Sequence, residues 1–415
     1  MPETKLYRFL RAVIADIFTV WFKELKSVFS DAGVIIFFLV VPFGYPLLYS
    51  YMYHNEMVRE VPMVVVDQNR SSLSRDFIRR IDGTPDVHVV SRCTEVSEGQ
   101  ELMHRRQAYG ILLIPEDFSR NIARGEQSTV SLYSDMSSML FYKAMLTAST
   151  DVSMKMGKEI QVRNLGNVTL TQGDRATTPA GYDWVPMFNP QVGFGSAMVP
   201  AILILIIQQT LLLGVGMLTG TSRNHANRTF PLEFGHHHFI GSLRIVTGKA
   251  LCYFMIYAPV CAWVLRGVPS IFDFPMVGHP GQIMLFLLPY LLSAIFFAIT
   301  LAGVIRDRET PMLIFVFTSV PLLFLAGVSW PQAAIPEGWK WFSYLFPSTF
   351  GIQGFLKLST MGADLHQIRF EYIALWVQTF VFFITACISY HFVITGNKLK
   401  RLRAMRMLKR INLIR

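Results

Sequence analysis

Six apolar runs, each long enough to cross a bilayer as a helix, lie at residues 33–53, 193–218, 247–265, 283–305, 310–329 and 372–394. A crossing helix needs roughly 20 predominantly apolar residues. Within lipid no water can satisfy exposed amides and carbonyls, so such runs must fold as helices that pair their own backbone. Composition agrees, with 52% of residues hydrophobic and only 16% charged. A soluble chain of this size carries about a quarter charged residues. The pattern predicts an α-helical polytopic membrane protein with six transmembrane helices. The net charge of +10 gathers largely beside the apolar runs, which favours a membrane surface over nucleic acid as its partner.

Before the first run, residues 5–29 read as a basic amphipathic helix. Leu6, Leu10, Val13, Ile17 and Trp21 recur at helical spacing, while Lys5, Arg8, Asp16, Lys23 and Lys26 fall largely off that stripe. Such a helix is expected to lie in the cytoplasmic interface. Pro42 and Pro46 should bend the first span. No secretory signal is visible, because the first apolar run is too long for one.

Residues 57–165 change character. Strands are expected at 61–67, 87–90, 109–114 and 129–133, alternating with helices at 71–81, 95–107, 115–123 and 137–165. The alternation predicts an α/β extracytoplasmic domain with a largely parallel sheet, inserted between the first and second transmembrane helices. Residues 166–190, rich in Gly, Thr and Pro, return the chain to the membrane. The expected organisation is an interfacial helix (1–30), a first span (31–54), the inserted domain (55–190), a five-helix region (191–396) and a basic tail (397–415).

Orientation follows from loop charge. With the N-terminus inside, the segment 219–247, the turn Arg306-Asp307-Arg308-Glu309 and the basic tail all fall inside, and loop 267–282, without Lys or Arg, falls outside. Both ends are then cytoplasmic, at a bacterial inner membrane. Of the four cysteines only Cys93 lies in the polar domain; Cys252, Cys261 and Cys387 lie in apolar segments and read as packing residues. His236-His237-His238 is a solvated or headgroup-facing tract unless further ligands join it. No GxxxxGK[ST] phosphate cradle is present; around Gly248-Lys249, position 243 is Leu and position 250 is Ala. No catalytic triad or HExxH occurs either, so the chain reads as no enzyme by itself.

Several local motifs carry a family resemblance: Trp21-Phe22-Lys23-Glu24-Leu25 followed by Asp31; Val66-Asp67-Gln68-Asn69 with Ser74-Arg75; Ile114-Pro115-Glu116-Asp117-Phe118 and Gly125; Phe188-Asn189-Pro190; and Leu325 to Pro331 followed by Ile335-Pro336, Trp339 and Pro347. In this order and on this topology the chain resembles the permease subunit of ABC-2 type exporters, in the drug-exporter-like branch. The resemblance implies a permease dimer driven by a separate ABC ATPase, so that ATP acts through the partner and no cofactor is bound directly. It also implies a coupling segment at 219–247, with Arg223, Glu233, Arg244 and Lys249 as coupling residues. The family's acidic run there is replaced by Ser222 to Thr229. Gln208, Gln209 and Thr210 in the second span and Thr318 and Ser319 in the fifth are candidates for a substrate path between two permeases. They read equally as interhelical hydrogen-bonding groups. A re-entrant stretch at 330–358, led by Trp330 and Pro331, would form an outer gate, and the α/β domain would dock a periplasmic adaptor. The competing class is a membrane sensor or scaffold with a periplasmic ligand- or adaptor-binding domain, for which the cytoplasmic parts are short.

Overall fold

The computed structural model describes residues 5–166, 185–190, 192–224, 238–305 and 307–412, with side chains for 11–166, 185–190, 192–222, 241–305 and 307–392. The chain divides into two compact units. One is Met1–His54 with Met187–Arg415; the other is Asn55–Pro186.

In the first unit, α1 (Lys5–Ser30) leads into α2 (Ala32–Tyr53). Later come α7 (Phe194–Asn224), α8 (Gly241–Ile271), α9 (Pro280–Val304), α10 (Thr310–Leu325), α11 (Glu337–Ser343), α12 (Pro347–Ser359) and α13 (Arg369–Asn412). Five of these helices, α2, α7, α8, α9 and the apolar part of α13, are long and apolar enough to cross a membrane. The expected fifth span, α10, has 16 residues. That is about 24 Å of helix, against a hydrocarbon core of about 30 Å.

The expected bend in α2 takes a specific form. Pro42 has no N–H, so the preceding turn, Ile36–Val40, widens to a π-turn and the Val41 N–H reaches back to the Ile36 carbonyl. The same device recurs at Trp263–Gly267, ahead of Pro269.

The centre of this unit is α7, which packs against α2, α9, α10 and α12. Small residues set its approaches. A methyl on Gly216 would lie 2.8 Å from the Pro311 ring, and one on Gly220 would lie 2.7 Å from the Asp307 carbonyl oxygen and the Arg308 Cα. Its interior polar groups are mostly paired across helices. The Tyr290 hydroxyl donates to the Ile204 carbonyl at 2.7 Å, and the Tyr257 hydroxyl donates to Thr210 at 3.1 Å.

The second unit holds β1 (Val61–Asp67), α3 (Ser72–Asp82), β2 (Val87–Cys93), α4 (Val96–His104), β3 (Gly110–Ile114), α5 (Phe118–Ala123), β4 (Ser131–Ser134) and α6 (Met139–Asn164). Strand order is β2-β1-β3-β4, with β1 parallel to both neighbours and β4 antiparallel to β3. The central β1 is almost wholly apolar, as a strand covered on both faces must be. Val61, Met63 and Val65 pack with Phe77, Ile81, Met145 and Val152 of α3 and α6. On the other face, Gly99 of α4 lies against Ile111.

Two of the motifs noted in the sequence are turn devices in this unit. Asp67 accepts the N–H groups of Asn69 and Arg70 at 3.1 and 3.0 Å and the Ser74 hydroxyl at 2.8 Å, while Ser71 caps α3 by accepting the Ser74 N–H. Pro115 lies before α5 rather than at its first position, and Gly125, at φ +78°, closes the helix in the left-handed region. Burial raises the Asp86 carboxyl above the usual range, Asp151 adds to the rise and Arg59 opposes it.

Candidate functional site

The densest charged cluster lies where α1 meets the apolar helices. One face of α1 packs inward through Val20, Trp21, Leu25 and the buried Val28. Next to it an apolar stripe of Ile14, Phe18, Phe22 and Phe29 stays exposed, Phe22 by 62%. Such a helix can bind protein on one flank and lipid on the other.

Three acids emerge on the packed side of α1 or just past its end, and each meets a base on another element. Asp16 pairs with Arg244 of α8. Glu24 accepts from both Lys249, at 2.5 Å, and the hydroxyl of Tyr253, again on α8. The Lys249 ammonium also sits 5.7 Å from the ring centre of Tyr390 on α13. Asp31 pairs with Arg308, in the turn between α9 and α10, at 2.7 Å. Asp31 further caps α2 by accepting the Gly33 N–H at 3.0 Å, and Thr221 of α7 bridges to both Asp31 and Arg308 at 3.3 and 3.2 Å. Gly248 permits the close α1–α8 approach, since a methyl there would lie 2.8 Å from the Ile17 carbonyl oxygen.

The pairs differ in character. Glu24 and Lys249 keep only 11% and 9% of their side chains exposed. A pair so buried adds little net stability, because desolvation offsets attraction, but it penalises any arrangement that separates the partners. Asp31–Arg308 borders an open cavity of about 450 Å³ lined by Ser27, Ser30, Ala32, Gly33, Leu218 and Thr221. The ladder therefore ties α1 and its C-terminal end to α8 and to the α9–α10 turn, and Lys249 in turn touches α13.

Of the expected coupling residues, Arg244 and Lys249 are brought together with α1. Arg223 lies in the last turn of α7 with its side chain outside the described residues, and Glu233 lies outside them altogether, as do His236 and His237. Asp16, Glu24, Asp31 and Arg308 are not among the coupling residues expected from the sequence, although Glu24 and Asp31 belong to the motif that begins at Trp21. The available signal was an acid recurring every seven or eight residues along an otherwise basic helix.

The substrate-path residues divide. Gln208 is fully buried and clasps the start of α12, accepting the Ser348 N–H at 2.6 Å and donating to its hydroxyl at 3.1 Å. Thr210 accepts from Tyr257 and donates to the Ile206 carbonyl. Thr318 and Ser319 donate to carbonyls of their own helix. Gln209 is 7% exposed, and neither end of its carboxamide has a hydrogen-bond partner among the described residues. Of the outer-gate residues, Trp330 is 57% exposed and donates to the Ala334 carbonyl, and Pro331 is exposed beside it.

Comparison with known proteins bears on this arrangement. The chain is 18% identical over 362 residues to the linearmycin resistance permease protein LnrN of Bacillus subtilis (strain 168), covering 79% of this chain and 88% of that protein. Residues 32–388, from the foot of α2 into α13, match the profile described as ABC-2 family transporter protein. A bundle of apolar helices, tied at one level to an amphipathic leading helix and matching that profile over most of its length, belongs to the ABC-2 family of transporter proteins.

Proposed function

We propose that this chain is the permease subunit of an ATP-driven exporter, working as a dimer with a separate ABC ATPase. The observation that carries the reading is the ladder Asp16–Arg244, Glu24–Lys249 and Asp31–Arg308. A force applied to α1 passes through these pairs to α8 and to the turn before α10. That is the property a permease needs if motion of an ATPase is to switch its helices between two packings.

In this reading the chain crosses the inner membrane six times, with α10 as a short fifth crossing and both termini in the cytoplasm. Residues 55–190 lie outside and engage a periplasmic adaptor. The relative's role in linearmycin resistance favours a small antibiotic-like molecule moved outward. The direct test is purification with a candidate ABC ATPase from the same organism and measurement of ATP hydrolysis in lipid. Wild-type permease is expected to change the hydrolysis rate, and Glu24→Gln with Lys249→Met to abolish that change while assembly persists. A permease that recruits no ATPase, or a double variant that leaves coupling intact, overturns the proposal.

A further inference from the structure

The carboxamide of Gln209 is an unusual feature in the apolar interior. It is more than nine-tenths buried near the middle of α7, yet its donor and acceptor are both unmatched among the described residues. Its neighbours in sequence point elsewhere, Gln208 to α12 and Thr210 to α8. Successive residues of a helix turn by about 100°, so Gln209 faces a third direction.

Gly216 and Gly220 identify that direction. They lie seven and eleven residues beyond Gln209 and share its face of α7, and they abut Pro311 and the Asp307–Arg308 backbone. The contacts rise along α10 as they fall along α7, so the two helices are antiparallel. Seven residues along α10 from Pro311 is Thr318, which puts Gln209 level with Thr318 and Ser319. Here α10 is a thin cover. It buries Pro311, Phe315 and Leu322 against the bundle, while Leu313, Val316, Phe317 and Val320 are exposed on its other side.

Neither helix carries a charged side chain over this stretch, from Phe194 to Thr221 and from Thr310 to Leu325. Arg308, three residues before Pro311, is paired with Asp31 at the α1 level. A charged guest would meet no counter-charge and would bear the full cost of desolvation. A guest without hydrogen-bonding groups would leave Gln209 unmatched.

We propose that Gln209 is the hydrogen-bonding element of an intramembrane binding site for an uncharged, hydroxyl-bearing lipophilic molecule, reached when α10 shifts away from α7. The assignment rests on the transport reading and deepens it by naming the substrate class and the residue that selects it.

The test uses the full chain in nanodiscs of phosphatidylethanolamine and phosphatidylglycerol. Two fluorescent probes are followed by energy transfer from the protein's tryptophans, with empty discs subtracted: filipin, an uncharged polyol, and diphenylhexatriene, which has no hydrogen-bonding group. Wild type is expected to prefer filipin. Gln209→Leu should weaken filipin about three- to tenfold, as loss of one or two neutral hydrogen bonds does, and leave diphenylhexatriene unchanged. Gln209→Asn should restore part of the difference. Gln209→Leu loses no internal bond, so its thermal midpoint should not fall. A wild-type chain that holds filipin no better than diphenylhexatriene overturns the site, as does a leucine variant with wild-type discrimination. A leucine variant that alters only the monomer–dimer ratio also overturns it and assigns Gln209 to a second copy. Stimulation of the co-purified ATPase by the wild-type chain separates the two claims: lost discrimination in the leucine variant beside wild-type stimulation is expected if both are right, unchanged discrimination beside wild-type stimulation removes the site alone, and absent stimulation in wild type removes the transport reading.

Discussion

Replacing Glu24 by glutamine removes a charge that two donors share, Lys249 and Tyr253. The lysine is then left almost enclosed, with 9% of its side chain exposed, over the ring of Tyr390. Breaking one partner of a buried pair costs about 3–5 kcal/mol, whereas replacing both partners by neutral groups often costs little. Glutamine can still accept from Tyr253, so Glu24→Gln should cost about 2–3 kcal/mol, near the lower bound. Lys249→Met should cost a similar amount, because it strands the carboxylate. The double variant should cost no more than either single one, giving a coupling energy of about 2–3 kcal/mol. Equilibrium unfolding in mixed micelles doped with a denaturing detergent measures all four proteins under one condition. Strictly additive penalties would refute the reasoning, because they would mean that water reaches the pair and screens it. Single penalties below about 1 kcal/mol would do the same, since that is the range of exposed ion pairs.

Three other sites give independent checks. Gly220→Ala should cost about 1–3 kcal/mol in the same unfolding assay, since the new methyl meets the backbone at Asp307 and Arg308 at 2.7 Å and neither can rotate away. Gln208→Leu strands the Ser348 N–H at the head of α12 and should cost about 1–3 kcal/mol, with faster proteolysis of the α11–α12 stretch. Because the Asp86 carboxyl is raised, the folded state holds its proton more tightly than the unfolded chain, and stability falls as pH rises through the folded value. Asp86→Asn should therefore raise the thermal midpoint at neutral pH, and the gain should vanish below about pH 4, where both forms are protonated. For topology, a cysteine at Ser137 should react with an impermeant maleimide added outside intact spheroplasts; reaction only after lysis would place Asn55–Pro186 on the cytoplasmic side.

Much of the fold could be read from pattern alone, because each element has a strong local cause. The run 61–67 forms β1 with the expected bounds, and the helix expected at 137–165 forms as Met139–Asn164. The apolar runs became helices because lipid leaves no other backbone solution. What stayed hidden was pairing over long separations. Lys249 and Arg244 could be singled out as charges beside a span, but nothing local says that their partners are Glu24 and Asp16, more than 220 residues away. The Gln208-Gln209-Thr210 triplet is visible in the sequence, but its split into an α12 clasp, an α8 contact and an unmatched amide depends on three helices arriving at three angles. The antiparallel β4 and the shortness of α10 are tertiary outcomes of the same kind.

The enclosure of α7 bears on how the chain is made. Within its most apolar window 94% of residues are covered by the rest of the chain, against 22% for α2. A helix apolar enough to dissolve in lipid is thus the one that finally meets least of it. During synthesis α7 must emerge before α8 to α13 exist, with its greasy flanks and its Gln-Gln-Thr belt facing acyl chains until later helices displace them. Its leucines and isoleucines serve first as a ticket into the bilayer and only afterwards as filling. A polar substitution on α7 could therefore fail at insertion, even at a position where the finished bundle would accommodate it.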